Sequence, residues 1–310
     1  MTSERGKKFL EVRVVDVFTT QAFTGNPLAV VLDAQDLTSE EMQKIAKEMN
    51  LSETTFVLPP TKPKATYKMR IFTPAKEIPF AGHPSVGTAF VLAEEQRFNL
   101  QEPVTTVHQE VGIGVLPMDI YVQNKAVQKI MMTQGKPRFG PIIEDINVVA
   151  RGLRIPSEEI TKTGLNPQIV STGLNQLMVP IKNLKTLARL EPDFPLIKRM
   201  EESFGFLGCY VFTFETISPK ALVHVRFFAP SAGVWEDPAT GSAAGGLGSY
   251  LLKWKALPIT EEPFTFIIEQ GYEIKRPSTI HVEVRHRNKQ PTKVRVGGQA
   301  VTVLKGKIIC

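Results

Sequence analysis

The sequence predicts an α/β protein built from two similar halves. Three observations predict it: strand-like runs dominate, a few well-marked helices interrupt them, and one strand–loop–helix motif occurs twice. The runs at 11–18, 28–32, 67–72, 207–214, 222–228, 279–285 and 301–304 are rich in Val, Ile and Phe and bounded by Gly, Pro or Asn.

The first helix is expected from Thr38-Ser39-Glu40-Glu41, a capping box. Met42, Ile45, Ala46 and Met49 then fall at i, i+3, i+4 and i+7, one face of a helix. A strand at 54–58 follows. Two further helices are expected to begin at Pro84 and Pro238, since proline suits a first helical turn.

Those two starts carry the repeat. Arg70-Ile71-Phe72-Thr73-Pro74 precedes His83-Pro84-Ser85-Val86-Gly87-Thr88-Ala89, and Arg226-Phe227-Phe228-Ala229-Pro230 precedes Asp237-Pro238-Ala239-Thr240-Gly241-Ser242-Ala243. The shared pattern is R-x-F-x-P, a loop, then [HD]-P-x-x-G-[ST]-A. Weaker echoes flank it: Thr24-Gly25 with Thr172-Gly173, and Gln109 with Gln270. Ordered matches imply duplication. Two such halves are expected to pack about a pseudo-twofold axis with equivalent loops meeting at a cleft. The first half is expected to span 1–134, joined by a C-terminal strand at about 298–310, and the second 135–297. The Gly/Pro-containing stretch 134–141 marks the boundary.

The 310 residues suit about two domains, and 42% apolar with 22% charged residues is ordinary globular usage. That excludes disordered, collagen-like and coiled-coil chains. Aliphatic runs such as Leu28-Ala29-Val30-Val31-Leu32 are far short of the ~20 residues that span a bilayer. The opening segment 1–8 is followed by no apolar signal region, so no membrane or secretory role is expected. Two cysteines, Cys209 and Cys310, suit a reducing cytoplasm better than a disulfide framework or a zinc cage. Net charge is +6, with a pI near 9.2. Lys275, Arg276, Arg285, Arg287, Lys289, Lys293 and Arg295 carry much of the excess. Several alternate with Ile280, Val282, Val284, Val294 and Val296, as the outward faces of half-buried strands do. No nucleic-acid partner is expected; a small anionic substrate also suits a basic protein.

Two helix N-termini at one cleft would make an anion site for a carboxylate. Gly82 and Gly241 would let a ligand approach the backbone, and Ala81, Ser85, Thr88, Ala239, Thr240, Ser242 and Ala243 leave room. The same small residues would also serve tight helix–strand packing. Asp237 before Pro238 could be a ligand group or an ordinary N-cap, and Glu236 reads as solvated or structural. His83 holds the equivalent motif position and titrates near neutrality. Glu53 sits at a helix-to-strand corner, where burial would raise its pKa and suit proton transfer. Spacing does not separate it from Glu48 or Glu77. No dinucleotide fingerprint, phosphate loop, HExxH, EF-hand, Cys/His cluster or GxSxG elbow occurs, so neither nucleotide cofactor nor metal is expected.

Phe23-Thr24-Gly25-Asn26-Pro27, Asn50-Leu51-Ser52-Glu53-Thr54, Pro79-Phe80-Ala81-Gly82-His83-Pro84 and Glu236-Asp237-Pro238-Ala239-Thr240-Gly241-Ser242-Ala243 together resemble the PhzF (phenazine biosynthesis-like) family. Gln270-Gly271, Arg276-Pro277-Ser278 and Val296-Gly297-Gly298 also fit. The resemblance runs from about residue 14 to 306. It departs at Ser85, where the family often has threonine. It implies a diaminopimelate epimerase-like fold: two α/β halves, each a curved, mostly antiparallel sheet around a central helix. It also implies a cytoplasmic, cofactor-free homodimer in a biosynthetic process. The family's characterised activity isomerises trans-2,3-dihydro-3-hydroxyanthranilate. By resemblance, Glu53 moves the proton, His83, Asp237 and Ser242 hold the substrate, and the Gly82 and Gly241 backbone, with Thr240 beside it, completes the binding loops. The superfamily's epimerases use two thiols at such helix starts. Here the cysteines lie elsewhere, so a proton shift by one carboxylate is expected. A racemase, epimerase or lyase on another small carboxylate, or a non-enzymatic ligand-binding protein, is the alternative.

Overall fold

A computed structural model describes residues 9–310. The segment 1–8, read above for a signal sequence, lies outside the described residues. The chain divides into two compact units. One is formed by residues up to Met132 with Gln299–Cys310, the other by Thr133–Gly298.

The first unit runs β1 (Phe9–Val17), β2 (Asn26–Val31), α1 (Ser39–Met49), β3 (Thr54–Leu58), β4 (Tyr67–Phe72) and a short β5 (Glu77–Ile78). It continues with α2 (Gly82–Glu94), β6 (Val104–Val111), β7 (Gly114–Gln123) and β8 (Ala126–Thr133). The second unit runs β9 (Arg138–Ile142), α3 (Ile146–Leu153), α4 (Glu158–Thr161), β10 (Gln168–Ser171), β11 (Asn175–Pro180), α5 (Leu184–Ala188) and α6 (Phe194–Phe204). It continues with β12 (Cys209–Thr213), β13 (Val223–Phe228), α7 (Gly241–Lys253), β14 (Phe264–Gln270), β15 (Ser278–Arg287) and β16 (Gln290–Gly298). The last strand, β17 (Ala300–Ile309), pairs antiparallel with β1.

The two sheets follow one plan. The first orders its strands β17-β1-β2-β3-β4-β6-β7-β8, with β5 added beside β4. The second orders them β9-β10-β11-β12-β13-β14-β15-β16. Only the third and fifth junctions of each order are parallel: β2/β3 and β4/β6, then β11/β12 and β13/β14. Parallel neighbours need a crossover. The helices α1, or α5 with α6, supply the first, and α2 or α7 the second.

Both second-crossover helices are buried nearly all round, as helices inside a core are. Gly87 allows α2 to lie against the sheet, since a Cβ there would come within 2.6 Å of Leu28 and 2.8 Å of Val17. By contrast α1 is two-faced. Its capping box forms, with Glu41 N–H donating to Thr38 Oγ1 and Thr38 N–H to the Glu41 carboxylate. It buries Met42, Ile45 and Ala46 against Val31, Phe56 and Phe72. The matching outer layer of the second unit sets Val149, Leu153, Ile197 and Met200 against Val179, Val211 and Phe228. Among the described residues no helix is long and apolar enough to cross a membrane.

Two details of the repeat need correction. The helices begin at Gly82 and Gly241, not at Pro84 and Pro238, and each spans 13 residues. His83 therefore corresponds to Ser242, the second residue of each helix, and Asp237 lies in the loop before α7. The strand partners agree. Lys68 pairs with Glu110 and His224 with Glu269, so Glu110 corresponds to Glu269, and Gln109 is not the counterpart of Gln270. The first part of the motif holds. Arg70 lies over the Phe72 ring at 5.1 Å and pairs with Glu77; Arg226 lies over Phe228 at 5.0 Å and pairs with Glu236. The outward alternation of late basic residues breaks at Arg295, which is buried and bonded to Glu283.

Candidate active site

In the first unit the αL residue Asn50 ends α1, and four residues later β3 begins between β2 and β4. Glu53 occupies that corner. Its side chain is 17% exposed, and its Oε2 lies 3.3 Å from Nε2 of His83, whose side chain is 9% exposed. The two atoms lie at ion-pair distance without hydrogen-bond alignment. Burial raises the Glu53 pKa; a hydrogen bond from Ser52 opposes it. A buried carboxyl with a raised pKa can both take and return a proton near neutrality. Neither Glu48, on the exposed face of α1, nor Glu77, ion-paired with Arg70, shares that environment.

His83 is the second residue of α2. Ala81, the residue before the helix, gives it no side-chain cap.

In the second unit α7 likewise starts without a side-chain cap. Asp237 does not cap it. Its carboxylate accepts from Thr240 Oγ1 at 2.6 Å, and its N–H donates to the Phe227 carbonyl. Gln270, fully buried, ties this loop together. Its Nε2 donates to the Asp237 carbonyl at 2.7 Å and to Thr240 Oγ1 at 2.9 Å, and its Oε1 accepts from Thr240 N–H at 3.1 Å. The Thr240 hydroxyl thus spends its proton on Asp237. Glu236 holds Arg226 at 2.7 Å, a structural pair.

Sequence reasoning missed the side chains that brace the first turn of α7. Gln134 Nε2 donates to the Gly241 carbonyl at 2.8 Å, and Thr172 Oγ1 bonds Gln134 Oε1 at 2.7 Å and the Ser242 carbonyl at 3.2 Å. Gln176 Nε2 donates to Ser242 Oγ at 3.0 Å. The Thr172-Gly173 echo was the one signal that pointed here.

The units differ where chemistry would differ. Thr54 pairs with Phe72 and Cys209 with Phe228, so Glu53 corresponds to Gly208. Only the first unit carries the corner acid. The Cys209 thiol, fully buried, has its pKa pushed up by burial and then by the Glu201 charge, which disfavours the thiolate.

Two sheets of identical plan, each holding a buried helix, define a mixed α/β, mostly antiparallel protein of the diaminopimelate epimerase-like class. A solved PhzF-family phenazine biosynthesis protein from Bacillus anthracis superposes with a TM-score of 0.87 at 30% identity, covering 98% of this chain and 100% of that one. Residues 15–306 match the family described as PhzC-PhzF, phenazine biosynthesis-like protein, and the chain belongs to that family. It is 38% identical to an uncharacterized isomerase from Clostridium acetobutylicum, across 95% of this chain and 96% of the relative. It is 32% identical to the trans-2,3-dihydro-3-hydroxyanthranilate isomerase of Pseudomonas chlororaphis, across 96% and 98%. The protein is a PhzF-family isomerase.

Proposed function

We propose that this isomerase shifts a proton within a small, cyclic carboxylate by acid–base catalysis without a cofactor, as a trans-2,3-dihydro-3-hydroxyanthranilate isomerase does. The observation that carries this reading is the buried Glu53 carboxyl, with its raised pKa, 3.3 Å from His83 and without a counterpart in the second unit. One carboxyl that takes a proton from one carbon and returns it to another suits a shift along one face of a conjugated acid. His83 and Asp237 orient the substrate and hold its charge. The amides at Gly82 and Gly241, with the Ser242 hydroxyl, bind the carboxylate. Thr240 acts through Asp237, to which its proton is committed.

The test is NMR of trans-2,3-dihydro-3-hydroxyanthranilate incubated with the protein in D₂O. Isomerisation with deuterium delivered to the new carbon supports the reading. Exchange at one stereocentre without movement of a double bond would assign a racemase or epimerase instead. Binding without exchange or turnover would leave a ligand-binding protein.

A further inference from the structure

Two buried polar groups beside α7 have hydrogen-bonding capacity that the fold does not use. Gln176, on β11, is 1% exposed. One end of its amide bonds Ser242 Oγ, in the first turn of α7, and the other end has no hydrogen-bond partner among the described residues. Tyr210, on β12, is fully buried, and its hydroxyl likewise finds no partner there. Each such group costs stability, and buried polar groups are otherwise almost always paired.

Both face the same end of the helix. Met178, two residues after Gln176 and therefore on its side of the sheet, pairs with Tyr210 across the β11/β12 junction. A Cβ on Gly246 would meet Met178, so this face looks toward α7. Two residues beyond Tyr210, Phe212 packs its ring edge-on against Tyr250 of α7. Tyr210 itself pairs with Phe227, whose carbonyl accepts the Asp237 N–H. The Asp237 charge also adds to the effect of burial in raising the Tyr210 pKa, so the phenol stays a donor.

We propose that Tyr210 and Gln176 are substrate-binding residues of the α7 site: the Tyr210 hydroxyl and the unbonded end of the Gln176 amide hydrogen-bond polar substituents of the carboxylate held at the helix start. The proposal rests on the functional reading above and adds two residues to it. Neither residue moves a proton to or from a reacting carbon; they fix how the ligand lies.

The experiment compares wild type, Tyr210→Phe and Gln176→Met by calorimetric titration with 3-hydroxyanthranilate, the aromatic counterpart of the dihydro substrate, and by thermal unfolding without ligand. Tyr210→Phe removes only the hydroxyl. Its expected result is an unchanged or higher Tm with affinity about 2- to 12-fold weaker, the range of one hydrogen bond. Gln176→Met is expected to weaken binding by a similar factor while losing some Tm with the Ser242 bond. Unchanged affinity in both variants, or a lower Tm for Tyr210→Phe, would overturn the proposal, because the hydroxyl would then be serving the fold. Absence of binding by wild type would reject the functional reading instead. The Tm of Tyr210→Phe would then decide alone: unchanged or higher keeps a hydroxyl reserved for a ligand, and lower removes it.

Discussion

Glu53 Oε2 lies 3.3 Å from His83 Nε2, one side chain from a helix-to-strand corner and the other from the first turn of a buried helix. Within the first unit, the chain reaches this pair from two separate crossovers: α1 delivers Glu53 to β3, and the β5 loop delivers His83 to α2. The pair therefore depends on the sheet order and not on sequence proximity.

Glu53→Gln keeps the shape and removes the exchangeable carboxyl proton. Turnover should fall about 10²–10⁴-fold, the usual worth of a general acid–base group. A carboxyl whose folded pKa is raised loses stability relative to the unfolded chain as pH rises through that pKa. The variant should accordingly be more stable than wild type at neutral pH, with the gain shrinking as the buffer is taken below the ordinary carboxyl range. Deuterium incorporation and thermal unfolding from pH 4 to 8 read the two effects separately. Undiminished turnover would move the proton-carrying role to Asp237 with His83.

The duplicated arginines should not be equivalent. Arg226 and Glu236 are 8% and 12% exposed at their side chains, against 24% and 43% for Arg70 and Glu77. Arg226 also donates to the carbonyls of Leu187 and Leu190. Arg226→Met should cost about 3–5 kcal/mol, because Glu236 is left buried and unpaired. Arg70→Met should cost no more than ~1 kcal/mol, as exposed pairs do. Urea unfolding of the two variants gives the comparison, and equal losses would contradict it.

Much of this was legible because local chemistry and final packing agreed. Thr38 and Glu41 announce α1, and the strand 67–72 appears with those bounds as β4. The R-x-F-x-P motif survives because each arginine has the same two tasks, a ring below and a glutamate beside it. The later part of the repeat misled, since Pro84 and Pro238 carry similar letters in different settings. Pro84 lies inside the first turn of α2, while Pro238 sits in an irregular loop held by Gln270 and Ser278. Helix start is fixed there by tertiary hydrogen bonds, which spacing does not encode. Gln134, Thr172 and Gln176 escaped notice for the same reason: each acts on α7 from 66 to 107 residues away in sequence.

Gln270 should act as a positioning residue for Asp237. It touches the loop through three hydrogen bonds and is fully buried. Gln270→Leu leaves Thr240 N–H and the Asp237 carbonyl without that partner and should cost about 1–3 kcal/mol. If Asp237 orients substrate, KM should rise more than kcat falls, and Gln270→Glu should not restore it, because even a protonated glutamate has one donor for the two acceptors that Gln270 serves, the Asp237 carbonyl and Thr240 Oγ1. Steady-state kinetics with the dihydro substrate separates the two parameters. A variant that loses stability while keeping both parameters would confine Gln270 to the fold.

His224 is fully buried between two acids. Its Nδ1 lies 2.7 Å from Glu269 and its Nε2 3.0 Å from Glu273, while Glu269 also accepts from the N–H groups of Ile217 and Ser218. Burial alone would push the imidazole toward its neutral form, but the two carboxylates outweigh it and hold the pKa up at about 9. A histidine whose folded pKa is raised stabilises the protein fully below its unfolded pKa of about 6.5, and that stability is lost as pH rises through the folded value. Unfolding free energy of the wild type should therefore decline between pH 6.5 and 9 or just above. His224→Gln should be less stable by about 3–5 kcal/mol at pH 6, because the buried Glu269 and the partly buried Glu273 lose their cation. The gap between the two proteins should narrow steadily as pH rises toward 10, where wild type has lost the same charge. A gap that stays constant with pH would show that His224 is held neutral and that its part in the β13–β14 junction is packing alone.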